Sequence, residues 1–300
     1  MPLLLVDNEV NKTVEVLLNK LNRTTNKYNT VMNNKIILGA IAGDVIGSAY
    51  EFAPVKNLDF QLFWGNSRSR FGSTFTDDSV MTVAVADWLL HGGSLVSVMQ
   101  FYGREYPNAG YGGMFSGWLI DNNAQPYNSY GNGAGMRVSP VGWAFDTLEE
   151  TLDAAEESAA ITHNHPEGIK GAQAIASCIY LARTGRSKEE IKDYITGRFN
   201  YDLNRTCDAI RPGYSFDVTC QGSVPESIIC FLESTDYESA VRLAVSLGGD
   251  ADTMGAMAGG IAEAFYGGVP ELIRAMTLGR IPDDFMEILY ALGEKYNIDV

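Results

Sequence analysis

From Lys35 to the C-terminus, apolar residues recur at three- and four-residue steps, and no run of strand-like alternation interrupts them. The pattern covers 36–50, 79–90, 94–105, 167–183, 187–199, 224–233, 237–247, 253–266 and 282–292. Starts carry Ser or Asp caps, and Ser187 with Glu190 has capping-box spacing. Stops carry glycine pairs, at 92–93 and 267–268. The chain is therefore expected to be all-α, a single compact multi-helix domain over 35–300 without internal repeats. Two stretches resist a helix reading, 106–137 and 200–222, both rich in Gly, Asn, Tyr and Pro. Loops of that length in a compact domain are usually functional.

Residues 1–34 differ in character: rich in Asn, Lys and Thr, with an amphipathic patch at Val14–Leu21, they read as a peripheral helix and linker. Met32 offers an alternative start. The four cysteines form no Cys-x-x-Cys pair and read as reduced core thiols, which points to a cytoplasmic setting. The first residues have no basic leader, and no apolar run is long enough to span a bilayer. A net charge of −15 argues against nonspecific nucleic-acid or membrane binding.

That charge does suit a site that gathers carboxylates around cations. Thr76, Asp77 and Asp78 stand at the mouth of one strongly patterned helix; Asp250, Asp252 and Thr253 stand at the mouth of another, behind Gly248 and Gly249. One such Asp is most simply a cap favoured by the helix dipole. A cap needs one side-chain oxygen, however, and these two starts supply four carboxylates and two hydroxyls. Asp44 and Glu51 add acidic groups to an otherwise small and apolar stretch, 39–52. If the two starts meet, their carboxylates repel unless hard cations such as Mg²⁺ or Mn²⁺ neutralise them. Two such ions ~3.5–4 Å apart could bind sugar or phosphate oxygens and activate a water.

Four segments in order, "GAIAGDVIGSAYE", "TDDS", "GNGAGMR" and "GGDADTMGA", resemble the ADP-ribosylglycohydrolases, which include the dinitrogenase-reductase-activating glycohydrolases. The likeness runs from about Ile36 to the C-terminus. It implies an all-α fold with a cleft holding two Mg²⁺ or Mn²⁺, and hydrolysis of the bond from C1″ of the distal ribose of ADP-ribose to an acceptor. The acceptor would be an ADP-ribosylated protein or a small-molecule ADP-ribose conjugate. By the same resemblance Thr76, Asp77, Asp78, Asp250, Asp252 and Thr253 are metal ligands. Glu51 is the acidic residue near the metals with a ligand or acid/base role, and Asp44 is more structural. Glu51, Asp77, Asp78 and Asp252 are the catalytic candidates.

Within "YNSYGNGAGMR", Gly131, Gly133 and Gly135 would let backbone N–H groups approach a diphosphate, and Tyr130 offers a flat face for adenine. An ordinary Gly-Asn turn is the plainer alternative. The resemblance makes Ser129, Tyr130, Gly131, Asn132 and Gly133 the ADP-binding stretch and His163 a contact for distal ribose or phosphate. Arg137 is expected to be structural, as an ion pair, or else a phosphate partner. His165 reads as a helix cap, His91 as a helix C-terminal residue, and the His-x-His pair lacks the further ligands of a zinc site. The segment 106–115 departs from the Asp-Ile-Gly pattern of the dinitrogenase-reductase branch and resembles the Gly-Tyr-Gly variant of the branch acting on serine-linked, poly- and O-acetyl-ADP-ribose. Tyr111, Phe115 and Trp118 could line the acceptor side. Two other readings stay open: a non-catalytic ADP-ribose-binding or crystallin-like descendant, and an all-α two-metal nucleotide pyrophosphohydrolase. The latter would want Glu-x-x-Glu pairs, and the acidic run 149–157 reads instead as a solvated helix face.

Overall fold

A computed structural model describes residues 36–65 and 72–298. The expected N-terminal extension, 1–34, lies outside them. In chain order the helices are α1 (Gly39–Gly47), α2 (Asp77–His91), α3 (Leu95–Glu105), α4 (Gly113–Ile120), α5 (Gly133–Met136), α6 (Ser139–Ala144), α7 (Leu148–Ala160) and α8 (Pro166–Arg183). They continue with α9 (Lys188–Phe199), α10 (Cys207–Ile210), α11 (Cys220–Glu233), α12 (Tyr237–Ser246), α13 (Ala251–Tyr266), α14 (Glu271–Leu278) and α15 (Asp283–Lys295). The only sheet-like pairing among the described residues is an isolated antiparallel bridge between Gly131 and Thr219. The all-α expectation holds. No helix among the described residues is long and apolar enough to cross a membrane.

Several boundaries follow the local signals. Ser187 and Glu190 form the capping box of α9, and His165 caps α8 by accepting from the Glu167 N–H. Gly92 and Gly267 end α2 and α13 at φ +72° and +75°. Elsewhere packing overrides sequence. α4 forms inside a stretch read as loop although two of its eight residues are glycine: Phe115, Trp118 and Leu119 fall on one buried face, and burial offsets the weak propensity of the glycines. The short α5 and α10 also lie within the expected loops. α11 begins at Cys220, ahead of the expected start, and runs through Pro225. The acidic run 149–157 is a helix face, with Glu149, Glu150, Glu156 and Glu157 exposed and Ala154 and Ala155 buried.

One helix pair organises the rest. Gly39, Gly43 and Gly47 on α1 face Ala251, Gly255 and Gly259 on α13 at backbone contact. A Cβ at Gly43 would lie 2.0 Å from the Gly255 carbonyl oxygen, and one at Gly259 2.4 Å from that of Gly39. Stripes of residues with at most one side-chain carbon let the two helices approach this closely. The small residues that follow Thr253 therefore serve α1 first, and reach α2 through it. All four cysteines are free and buried, as expected of core thiols.

Candidate functional site

The α1–α13 contact brings the exit of α1, with Glu51, beside the entrance of α13, with Asp250 and Asp252. Asp44, fully buried on α1, then anchors the entrance of α2. Its Oδ2 accepts from the backbone N–H of Thr76 (2.9 Å), from that of Ser79 (3.1 Å) and from the Ser79 hydroxyl; its Oδ1 accepts from the Thr76 hydroxyl (2.8 Å). With α2 so placed, the Thr253 hydroxyl of α13 donates to Asp78 Oδ2 at 3.2 Å. Two helix starts separated by 175 residues thus touch.

Carboxylate oxygens of Asp44, Asp78 and Asp252 lie within 4.8 Å of one another, as do those of Glu51, Asp250 and Asp252. Asp252 belongs to both groups. Asp77 lines the same cleft but stands apart from them, its N–H donating to the Ala109 carbonyl at 2.8 Å. Asp250 holds the N-cap position of α13 without making a side-chain cap bond. Its Oδ2 instead accepts from Asn132 Nδ2 at 2.7 Å. The excess of oxygens at this helix start is real: the residue best placed to cap does not.

Crowding sets the electrostatics. Burial, followed by the charge of Asp250, raises Glu51 to about 7. Burial, with Asp44 next in weight, raises Asp77 to about 7. Asp78 and Asp252 are pushed well above the carboxylate range by burial and then by each other's neighbours, Asp44 and Asp78 respectively. Asp250 is raised by burial as well. Asp44 is raised to about 6 by burial, against the hydrogen bonds from Ser79 and Thr76. These carboxyls cannot all ionise in one low-dielectric pocket without a counter-charge.

The donor set fits hard cations. It is composed of oxygens, and Asp78 Oδ1 is buried with no partner, an orphaned acceptor of the kind a cation satisfies. Asp44 fits less well despite its position, because both its oxygens already accept hydrogen bonds. The Thr76 hydroxyl is similarly engaged, donating to Asp44 and accepting from the Asp78 N–H at 3.3 Å.

The cleft, of about 350 Å³, runs from this acidic end to a glycine-rich wall that includes Ser129, Gly131, Asn132, Gly133 and His163. A Cβ at Gly133 would lie 3.2 Å from His163 Nε2, so that nitrogen faces the glycine wall. Arg137 Nη2 donates to Thr162 Oγ1 at 2.9 Å, and Thr162 Oγ1 lies 2.7 Å from His163 Nδ1. Thr162 Oγ1 thus links Arg137 to His163 Nδ1 and leaves Nε2 as the nitrogen on the cleft side. Burial, and then Arg137, hold His163 well below the usual imidazole range, so it stays neutral. Arg137 itself is buried and bonds Ser158 O and Thr162; the ion pair expected of it is replaced by neutral acceptors near the C-terminus of α7.

Tyr130 stands at the rim of the cleft. Its neighbours Ser129 and Gly131 line the cleft, but Tyr130 does not; it is 48% exposed, with its ring against His165. The Gly131–Thr219 bridge makes this segment extended, and successive side chains of an extended segment face opposite ways. Any base that Tyr130 stacks on lies at the rim. Phe115 lines the cleft, whereas Tyr111 and Trp118 stack behind it or beside it. Sequence reasoning missed Tyr127, Phe52, Phe216 and Val218, all cleft-lining. Phe52 and Phe216 are exposed and stacked at 6.2 Å. Phe52 adjoins Glu51, and that adjacency was the one available signal.

Fold and cleft together define an all-helical protein whose acidic, oxygen-only site opposes a glycine-rich wall. The chain belongs to the ADP-ribosylglycohydrolase family, hydrolases acting on glycosyl bonds, whose sequence profile matches residues 34–296. It is similar to an ADP-ribosylhydrolase ARH3 from Mus musculus, with 28% identity over 77% of this chain and 82% of that protein. It is also similar to the ADP-ribosylarginine hydrolase Tri1 of Pseudomonas putida, with 26% identity over 77% of this chain and 69% of that protein. A solved chain described as an ADP-ribosylglycohydrolase-related protein complex superposes with a TM-score of 0.69 at 24% identity, covering 86% of this chain and 95% of that one. At that identity the likeness speaks for the fold.

Proposed function

We propose that this protein is a metal-dependent hydrolase that cleaves the bond from C1″ of the distal ribose of ADP-ribose to an acceptor and releases ADP-ribose. The observation that carries the reading is the meeting of two groups of three carboxylates at the helix starts, with Asp78 Oδ1 buried and unpartnered. Glu51, Asp77, Asp78, Asp250 and Asp252 would hold two Mg²⁺ or Mn²⁺, with the Thr76 and Thr253 hydroxyls beside them. Bound there, the ions supply the neutralising charge, grip on ribose hydroxyls and an activated water.

The chain's own groups do the rest. Glu51, half-buried at the acidic end of the cleft, is placed to give a proton to the leaving oxygen or nitrogen, or to take one from water. Asn132 holds Asp250 in place through its 2.7 Å bond. His163 presents Nε2 to ribose or phosphate oxygens, and Gly131 and Gly133 leave room for a diphosphate against backbone. The carboxylate-rich end favours the positive charge that develops on the ribose ring as the bond breaks. The named activities of the relatives support an ADP-ribosylated protein or small ADP-ribose conjugate as substrate.

The test is incubation with serine- and arginine-linked ADP-ribose conjugates and O-acetyl-ADP-ribose, with Mg²⁺ or with chelator, and measurement of released ADP-ribose. Metal-dependent release, abolished in Asp77→Ala and Asp252→Ala variants that stay folded, is the expected result. AMP or phosphate from free nucleotides would instead point to pyrophosphate hydrolysis. A ligand-dependent rise in melting temperature without turnover would point to a binding protein.

A further inference from the structure

Glu51 lies on the segment 48–65, which has no regular structure and is exposed over most of 52–59. The backbone bonds of Ser48 and Tyr50 onto α1 hold the segment up to Glu51; beyond it the exposed backbone is held by contacts from other elements. Arg242 reaches in from α12 and donates to the carbonyls of Leu58 (3.0 Å) and Phe60 (2.7 Å). Phe52 stacks on Phe216. Between these two contacts Lys56 reaches outward, and its Nζ donates to the carbonyls of Arg211 (3.0 Å), Tyr214 (2.6 Å) and Leu247.

Three acceptors match the three hydrogens of an ammonium, and each bond is charge-assisted. Leu247 is the C-cap of α12, where a cation is favoured by the helix dipole. The next residue, Gly248, has φ +66°, and a Cβ there would lie 2.8 Å from Lys56 Cε. The lysine stem therefore crosses the turn where no side chain stands. That turn leads through Gly249 straight to Asp250. One ammonium thus joins the segment that carries Glu51 to the turn that delivers Asp250, and Glu51, Asp250 and Asp252 are the second carboxylate group of the cleft.

We propose that Lys56 is a positioning residue for Glu51: it ties the Glu51 segment to the Gly248–Asp250 turn and so sets where the Glu51 carboxyl stands against Asp250 and Asp252. The inference rests on the acid/base reading of Glu51 given above. It differs from a capping role for α12, which would affect stability and leave chemistry alone.

A double-mutant cycle separates the two. Wild type, Lys56→Met, Lys56→Arg, Glu51→Gln and the Lys56→Met/Glu51→Gln double variant are compared for kcat and KM on one conjugate that the wild type turns over. Melting temperature and ADP-ribose affinity in Mg²⁺ are measured alongside. The expected result for Lys56→Met is a fall in kcat of about 10–100-fold, with ADP-ribose affinity within about 3-fold and the melting temperature within a few degrees. Lys56→Arg restores much of kcat. The double variant is no slower than Glu51→Gln alone, because residues acting as one unit are not additive. An unchanged kcat in Lys56→Met, or a double variant whose loss is the product of the two single losses, overturns the inference while leaving Glu51's role intact. A Glu51→Gln variant with wild-type kcat overturns the Glu51 reading and this one with it.

Discussion

Asp44 on α1 accepts from both the backbone N–H and the hydroxyl of Ser79, 35 residues further along the chain. Through this contact the first motif sets the position of the second. Thr76 adds its N–H and hydroxyl, so an Asp44→Ala variant leaves four donors without their acceptor, two of them, the N–H and hydroxyl of Ser79, deep in the core. We expect a loss of about 3 kcal/mol or more, or roughly 6–12 °C in melting temperature. Asp44→Asn keeps one carbonyl for three of the donors, and the Thr76 hydroxyl can turn to accept from the amide, so it should melt within a few degrees of wild type. It should also keep a Mg²⁺-dependent thermal shift. Loss of that shift in Asp44→Asn would mean that Asp44 is a ligand and not an anchor.

Asp78 and Asp252 are crowded by like charge. Without cations, Asp78→Asn should remove repulsion and raise the melting temperature by a few degrees, while abolishing the rise that Mg²⁺ gives the wild type. At about 100 times its Kd a bound ion stabilises by about 2.7 kcal/mol, which scanning calorimetry resolves easily. Turnover should fall by about 100-fold or more. A variant as responsive to Mg²⁺ as wild type would remove Asp78 from the ion site.

The α1–α13 contact tolerates no added carbon. A Cβ at Gly43 would stand 2.0 Å from backbone oxygen, and neither helix backbone can give way cheaply. Gly43→Ala should destabilise by about 3 kcal/mol or more, although alanine is ordinarily the better helix former. Urea unfolding measures it; a neutral or stabilising effect would show that the helices can separate freely.

Glu263 offers a pH test away from the cleft. It is 1% exposed and accepts from the Leu38 N–H at 2.7 Å, and burial raises it to about 7, against the pull of bonds from Leu38 and Gly39 and of Arg274. An acid whose folded pKa exceeds its unfolded value binds more protons when folded, so its contribution to stability falls as pH rises from about 4.5 through 7. Glu263→Gln removes that slope. Relative to wild type it should gain little at pH 5 and about 1–3 kcal/mol at pH 8. A difference independent of pH between the two proteins would contradict the assignment.

Thr162 holds the His163 ring through Nδ1. Thr162→Val removes that hydroxyl and leaves Arg137 Nη2 with Ser158 O alone. KM for the conjugate should rise about 5–20-fold with kcat changed little, and Thr162→Ser should behave as wild type. A fall confined to kcat would place His163 in the chemistry and not in binding.

Much of this site was readable because it breaks a local rule. One carboxylate suffices to cap a helix, so Asp250, Asp252 and Thr253 behind Gly248 announced a second purpose, and the structure finds Asp250 making no cap bond. Asp77 and Asp78 stood out by the same logic, Asn132 and His163 only through the resemblance; all four line the cleft. Tyr130 was only partly legible. An aromatic among glycines signals a platform, but which way it faces depends on the bridge to Thr219, a partner that no local pattern specifies.

Helical periodicity, the small-residue stripes and the surplus of oxygens at two helix starts were determined by the sequence, because each depends on neighbours within a few turns of chain. The tertiary structure alone decided that the α13 stripe packs on α1, that Asp44 hands α2 its position, and that Lys56 and Phe52 tie the Glu51 segment to distant turns. Those contacts join segments 35 to about 220 residues apart. They arise from burying one core, and burial selects partners by shape and distance in space, which periodicity along the chain does not record.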